Sequence, residues 1–306
     1  MKMKRFVSVA LTVLMLLPIL AGCGAKTEAP VTTTAPAPAA TEVPATAAAE
    51  TTAPEALAED VQKIVDRGVL RVGVKNAVLG FGFQDELTGE YSGMEISLAQ
   101  KIAEFLGVDV EFTAVTAATR TELLDSGDID CVLATFTITE ERKKSWDFTT
   151  PYYTDYVTVL VEDASGIKTL ADLKDKKVGV SSGSTSAKAL VKAMIEAGVI
   201  SGDGFDADSF DPATWTEGVS FAQYDDYPNI STALSAGEVD AFCVDKSILA
   251  VYHTDGRSYI DDKFSPQEYG IATVKGSGMS QLCEKLVTGW LADGTIDALI
   301  AENGIA

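Results

Sequence analysis

Apolar residues recur along residues 57–306 with two alternating periods. Leu57, Val61, Ile64 and Val65 fall at helical spacing, and Gly68 follows as a stop. VLRVGV (69–74) reads as a buried strand. Met94, Leu98, Ile102 and Phe105 mark a second helix ended by Gly107, residues 108–115 alternate as a strand, and residues 120–125 make a short helix before Gly127. The run 129–134 is almost continuously apolar, as expected of a parallel strand covered on both faces. The second half repeats this grammar: KVGV (177–180), a helix through Ala187, Leu190, Val191, Met194 and Ile195 stopped by Gly198, a helix through Ile230, Ala233 and Leu234 stopped by Gly237, and a strand at 239–244. The chain returns through YGIA (269–272) and ends in two helices, one marked by Leu282, Leu286, Val287, Trp290 and Leu291, the other at 295–303. Strands alternate with helices, so the class is α/β.

LLDSGDIDCVLAT (123–135) and ALSAGEVDAFCVD (233–245) share a pattern at an offset of 110: short helix, Gly, acid, aliphatic residue, Asp, apolar run, polar end. This reads as two similar lobes. Thr135 and Asp245 then occupy matching places at the carboxyl ends of two strands, where open α/β sheets bind ligands. With 250 residues after position 56, the folded part is near the limit of one core and predicts two lobes.

The amino-terminal residues follow other rules. Lys2, Lys4 and Arg5 precede an apolar run that is too short for an ordinary membrane span and ends in LAGC (20–23). This resembles the lipobox of bacterial lipoproteins, which implies a signal peptide at 1–22 and diacylglycerol on Cys23, an anchor on the extracytoplasmic face of the membrane. Residues 23–56, rich in Ala, Thr, Pro and Glu, have the composition of a disordered tether.

The charge is −21, from 24 Lys and Arg against 45 Asp and Glu, which argues against non-specific nucleic-acid binding. Besides Cys23 there are Cys131, Cys243 and Cys283, without the C-x-x-C spacing of zinc or redox sites. They read as buried free thiols, with a Cys131–Cys283 disulfide as the alternative. The segment 201–220 carries Asp203, Asp206, Asp208 and Asp211 but lacks the spacing of a calcium loop, and reads as an acidic solvated loop. No metal site or cofactor is expected. There is no Ser-His-Asp order, and SGSTS (182–186) lacks the G-K-[ST] of a phosphate loop, so no enzyme chemistry is read here.

Three stretches carry a family resemblance over about 57–306: ATFTITEERKKSWDFTTPYY (134–153); YSGMEISLAQKIAEFLG (91–107), which departs from the usual pattern at Met94 and Ser97; and YDDYPNISTALSAGEVDAFCVDKSIL (224–249) with QEYGIA (267–272). They resemble the polar amino-acid-binding proteins of ABC importers, of the periplasmic-binding type II fold. With VTAATR (115–120) they are most similar to the aspartate/glutamate-binding branch. The resemblance implies discontinuous lobes, 57–155 with 270–306 and 156–269, joined by a hinge and closing on a ligand. It also implies an ABC permease and ATPase as partners of a monomeric binder.

By the same resemblance, Arg142 and Thr137 hold the ligand α-carboxylate, for which a guanidinium fork is suited. N–H groups around Gly183–Ser186 and the Thr185 side chain assist from the second lobe. Asp245 pairs with the α-ammonium, helped by the Thr135 carbonyl. Lys75 and Arg120 lie near the ligand side chain, and two cations there favour a second carboxylate. Tyr227 covers the ligand, as Phe81 and Phe83 could. The alternatives left open are a binder of glutamine or another neutral polar amino acid, and an amino-acid sensor or adhesin.

Overall fold

The computed structural model describes residues 56–305. The leader at 1–22, Cys23 and the tether up to residue 55 therefore lie outside the described residues. Among those described, no helix is long and apolar enough to cross a membrane.

Two main sheets are built on one plan. In the first, Val69–Val74 lies between the parallel strands Asp109–Ala114 and Cys131–Leu133. In the second, Lys176–Ser181 lies between the parallel strands Val219–Tyr224 and Ala241–Asp245. The first sheet is completed by Ala272–Val274 and Trp146–Phe148, both antiparallel additions. The second is completed by Tyr153–Glu162, to which Arg257–Tyr259 and Phe264–Tyr269 pair.

The repeat read from sequence has a structural counterpart beyond its helices and strands. Asp130 accepts the Arg71 N–H at 2.8 Å, and Asp240 accepts the Lys177 N–H at 2.8 Å. Each aspartate thus satisfies a backbone donor at the start of its lobe's central strand, which explains the shared acid–aliphatic–Asp signature. The glycine of each V-G-V has a matching purpose. A Cβ on Gly73 would lie 2.6 Å from Ile129 Cδ1, and one on Gly179 would lie 2.6 Å from Ile230 Cγ2. Only glycine lets these neighbours pack so closely on the strands.

Helices Glu59–Arg67, Met94–Leu106 and Thr119–Ser126 end at Gly68, Gly107 and Gly127, all left-handed, as the stop signals require. Some apolar markers behave otherwise. Leu57 precedes its helix and is exposed, and Phe105 and Leu291 also face outward, because Leu106 and Val287 take the buried positions of their helices. The strand expected over 129–134 is shorter, Cys131–Leu133, since the chain turns at Thr135 with φ +44°.

The segment 201–220 departs from the solvated loop read from its acids. The four aspartates are exposed, but Phe205, Phe210 and Trp215 form a cluster with ring centroids 5.6–5.9 Å apart, and Phe210 reaches Phe221 of the second sheet at 6.3 Å. Glu217 ties its base by accepting from the Ser201 and Gly202 N–H groups. The aromatics, spaced five residues apart among polar neighbours, fit no helix or strand period, so periodicity alone did not reveal a packed face. Cys131, Cys243 and Cys283 are buried free thiols.

The chain crosses between the sheets at two hydrogen-bonded segments. Thr149 N–H donates to Ile271 O, Tyr152 N–H donates to Tyr269 O, and Asp155 stands opposite Gln267. Phe81 packs edge-on against Tyr153 and Tyr269 beneath these crossings and is fully buried, so it is a core residue and no ligand cover.

Candidate functional site

Four strand ends meet where the sheets face each other. Val69–Val74 leads into Lys75, Cys131–Leu133 into Thr135–Thr137, Lys176–Ser181 into the SGSTS loop, and Ala241–Asp245 ends on Asp245 itself. A narrow cavity of only ≈ 10 Å³, room for about one water, lies between them, lined by Arg120, Thr135, Thr137, Arg142, Thr185, Tyr227 and Asp245 among others. Seven of the eight ligand residues read from sequence thus share one cavity. Lys75 lines the larger adjoining space, as do Tyr227 and Phe83. The Lys75 ammonium lies 5.3 Å from the Tyr227 ring centre, so it is next to the group.

The first-lobe wall rests on residues that the sequence did not single out. Glu95, wholly buried in helix Met94–Leu106, accepts from Thr135 N–H at 2.7 Å and from the Tyr152 hydroxyl at 2.5 Å. This holds the left-handed turn at Thr135. An acid between the buried Met94 and Ile96 was the available signal. Phe136, 1% exposed, is the second such residue. The Arg120 and Arg142 guanidinium carbons lie 3.7 and 4.7 Å from its ring centre. Arg120 also donates to Ala134 O at 2.9 Å and, less closely, to Thr135 O at 3.4 Å. The Thr135 carbonyl is thus in long contact with Arg120 and keeps a second lone pair.

Arg142 joins the lobes. One nitrogen donates to Thr137 O at 2.7 Å and another to Gly183 O at 3.0 Å. In the SGSTS loop, Ser184 N–H donates to Ser181 O and Ser186 N–H to Ser184 Oγ, so not all of these donors face the cavity as anticipated. Thr185 caps helix Ser186–Glu196 by position, and its hydroxyl donates to Gln267 at 2.7 Å. Asp245 accepts from the Tyr269 hydroxyl at 2.6 Å.

Burial dominates the electrostatics. It pushes Arg142 down to about 9, with Arg120 adding repulsion, and Arg120 down to about 10. Lys75 is held well below the ordinary lysine range by burial and then by Arg120. Asp245 is raised to about 7 by burial and then by Asp155. Among the described residues, the ion pairs include none of these four side chains. The arrangement offers desolvated donors and one desolvated acceptor at a single place, without a nucleophile–base pair. No group of three or more His, Cys, Asp or Glu among the described residues could hold a metal.

Residues 70–204 match the family model of bacterial extracellular solute-binding proteins, family 3. Over 278 residues the chain is 31% identical to the glutamine-binding protein of Geobacillus stearothermophilus, covering 89% of this chain and 93% of that protein. The chain belongs to this family. The family-3 protein is also 31% identical over 245 residues to the L-cystine-binding protein TcyJ of Escherichia coli (strain K12), covering 78% of this chain and 84% of the relative. A solved structure of an ancestral arginine-binding protein bound to arginine superposes with a TM-score of 0.64 at 35% identity, over 77% of this chain and 98% of the other. The two-lobed type II fold read from sequence is thereby the fold of this family-3 protein. These relatives are named as binders of different amino acids, so membership alone leaves the side-chain preference of this family-3 protein to its own cavity.

Proposed function

We propose that this protein captures an amino acid with a second carboxylate, glutamate or aspartate, between its lobes and hands it to the permease and ATPase of an ABC importer. Binding is the whole of its chemistry. Arg142, with Thr137 and Thr185, takes the α-carboxylate, Asp245 takes the α-ammonium, and Lys75 with Arg120 takes the side-chain carboxylate, while Tyr227 covers the ligand. Lipid on Cys23 holds the monomer at the outer face of the membrane.

The observation that carries this reading is the charge set: Lys75, Arg120 and Asp245 are buried and Arg142 is half-buried, and none of the four makes an ion pair, although the buried Glu95 lies near Lys75 and Arg120. A dicarboxylic amino acid brings one carboxylate for Arg142, an ammonium for Asp245 and a second carboxylate for Lys75 and Arg120. An amide side chain would leave Glu95 alone to offset two desolvated cations, Lys75 and Arg120. The glutamine-binding relative favours a second reading, in which a neutral side chain is accepted and Glu95 serves as the standing counter-charge near Lys75 and Arg120.

Titration calorimetry with glutamate, aspartate, glutamine and arginine separates the two. Tight binding confined to glutamate or aspartate is expected. Tight glutamine with weak glutamate supports the second reading instead.

A further inference from the structure

Three buried oxygens meet behind the cavity. Tyr269 Oη lies 2.6 Å from Asp245 Oδ2 and 3.2 Å from Asp155 Oδ2. A phenol has one hydrogen and can satisfy one of these contacts. The other needs a second proton, carried by a carboxyl that donates to the phenol oxygen. Asp155 is already well supplied as an acceptor: it receives Tyr156 N–H at 2.7 Å, Ser247 N–H at 3.0 Å and the Ser247 hydroxyl. Asp245 accepts only the phenol among the described residues. The second proton therefore belongs on Asp245. Burial and the neighbouring Asp155 act in the same direction, raising it to about 7.

The three residues come from different parts of the fold. Asp155 sits on one crossing strand, Tyr153–Glu162, Tyr269 on the other, Phe264–Tyr269, and Asp245 at the end of a second-sheet strand lining the cavity. The other titratable groups acting on Asp245 are Arg120, Arg142 and Lys75 from the first lobe, and Tyr227 and Cys243 from the second.

We propose that Asp155 and Tyr269 are positioning residues of the ammonium site, holding a proton on Asp245 in the free protein that the ligand's α-ammonium displaces. The inference rests on the reading that Asp245 receives the ammonium. In the step, the Asp245 O–H bond breaks, the proton leaves to solvent, and the carboxylate closes on the ligand –NH3+. No bond of the ligand changes. Asp155 supplies the like charge that retains the proton, and Tyr269 supplies the hydrogen bond that lets it go near neutral pH.

The test is calorimetry of the full chain with L-glutamate between pH 5.5 and 8.5, repeated in buffers of different ionisation enthalpy to count protons. With Asp245 titrating near 7, affinity should be about tenfold weaker at pH 6 than at pH 8. Lys75 would take up a proton on binding an acid, with the opposite sign, so the deciding readout is how substitution moves the midpoint. Asp155→Asn should lower it and flatten the profile between pH 6 and 8. Tyr269→Phe should raise it, so that affinity recovers only above pH 8. Wild-type binding that tracks neither expectation, with superimposed profiles for both variants, overturns the inference even if Asp245→Asn loses binding. Wild-type affinity in Asp245→Asn removes the ammonium assignment itself, and this inference with it.

Discussion

Gly183 packs closely against residues 117–118 of the first lobe, and replacing it by alanine separates two costs. Its φ is +73°, and an added Cβ would lie 2.8 Å from Ala117 O and 3.0 Å from Ala118 Cα. The left-handed backbone costs an alanine roughly 1 kcal/mol wherever the lobes sit. The contact with the 117–118 backbone is different, because moving the lobes apart relieves it. If the lobes close on a ligand, as the resemblance implies, only the ligand-holding arrangement bears it. Overpacking of this kind costs about 1–3 kcal/mol, which corresponds to roughly 5- to 150-fold in Kd. Gly183→Ala should therefore weaken binding by about that factor while lowering Tm no more than the backbone term requires. Gly89→Ala is the control: its φ is +75° with nothing within 4 Å of the added Cβ. It should lower Tm and leave Kd unchanged. Calorimetric Kd with thermal unfolding of both variants reads the difference. Wild-type affinity in Gly183→Ala, with the same Tm loss as Gly89→Ala, would refute the idea that this contact belongs to the ligand-holding state.

Arg142→Ala and Asp245→Ala should each weaken every α-amino acid ligand by at least about 30-fold in titration calorimetry, since each orphans a buried ligand charge worth about 2–5 kcal/mol. Arg120→Ala or Lys75→Met should weaken glutamate and aspartate more than glutamine; equal losses would remove both from the side-chain pocket. Asp245→Asn should unfold at higher temperature than the wild type at pH 8. A carboxylate whose folded pKa is raised from 3.8 to about 7 destabilises the folded state when ionised, so the gain should begin to shrink as pH falls below 7 and be nearly gone by about pH 4. Trp215→Ala should cost roughly 1–3 kcal/mol in denaturant unfolding, below the value for a full core aromatic because it is partly exposed, with ligand affinity unchanged.

The lobes were legible because they are written in local code. The helix-ending glycines, the apolar strands and each copy of the repeated segment (123–135 and 233–245) act within about a dozen neighbours. The candidate ligand residues were read through resemblance, and seven of them fall around one cavity. What escaped is long-range: Glu95 reaches Thr135 and Tyr152, 40 and 57 positions away, and Tyr269 reaches Asp155 across 114. Phe136 reads as an ordinary apolar residue in T-F-T until two guanidinium groups are seen against its ring. In each case the partner is set by how strands are ordered in the sheets, and periodicity carries no information about that.

The place of Ala272–Val274 bears on how the chain is made. This strand lies between Cys131–Leu133 and Trp146–Phe148, so the first sheet lacks its fourth strand, the link to its fifth, until about nine-tenths of the sequence has been synthesised. Every strand of the second sheet, by contrast, is present once residue 269 has emerged. A chain cut shortly after Tyr269 would keep that sheet's strands and leave the first split into a three-stranded part and a stray ribbon. The amino-terminal lobe, begun first, is the one that must wait, and a nascent chain released early would leave the facing edges of Cys131–Leu133 and Trp146–Phe148 unpaired.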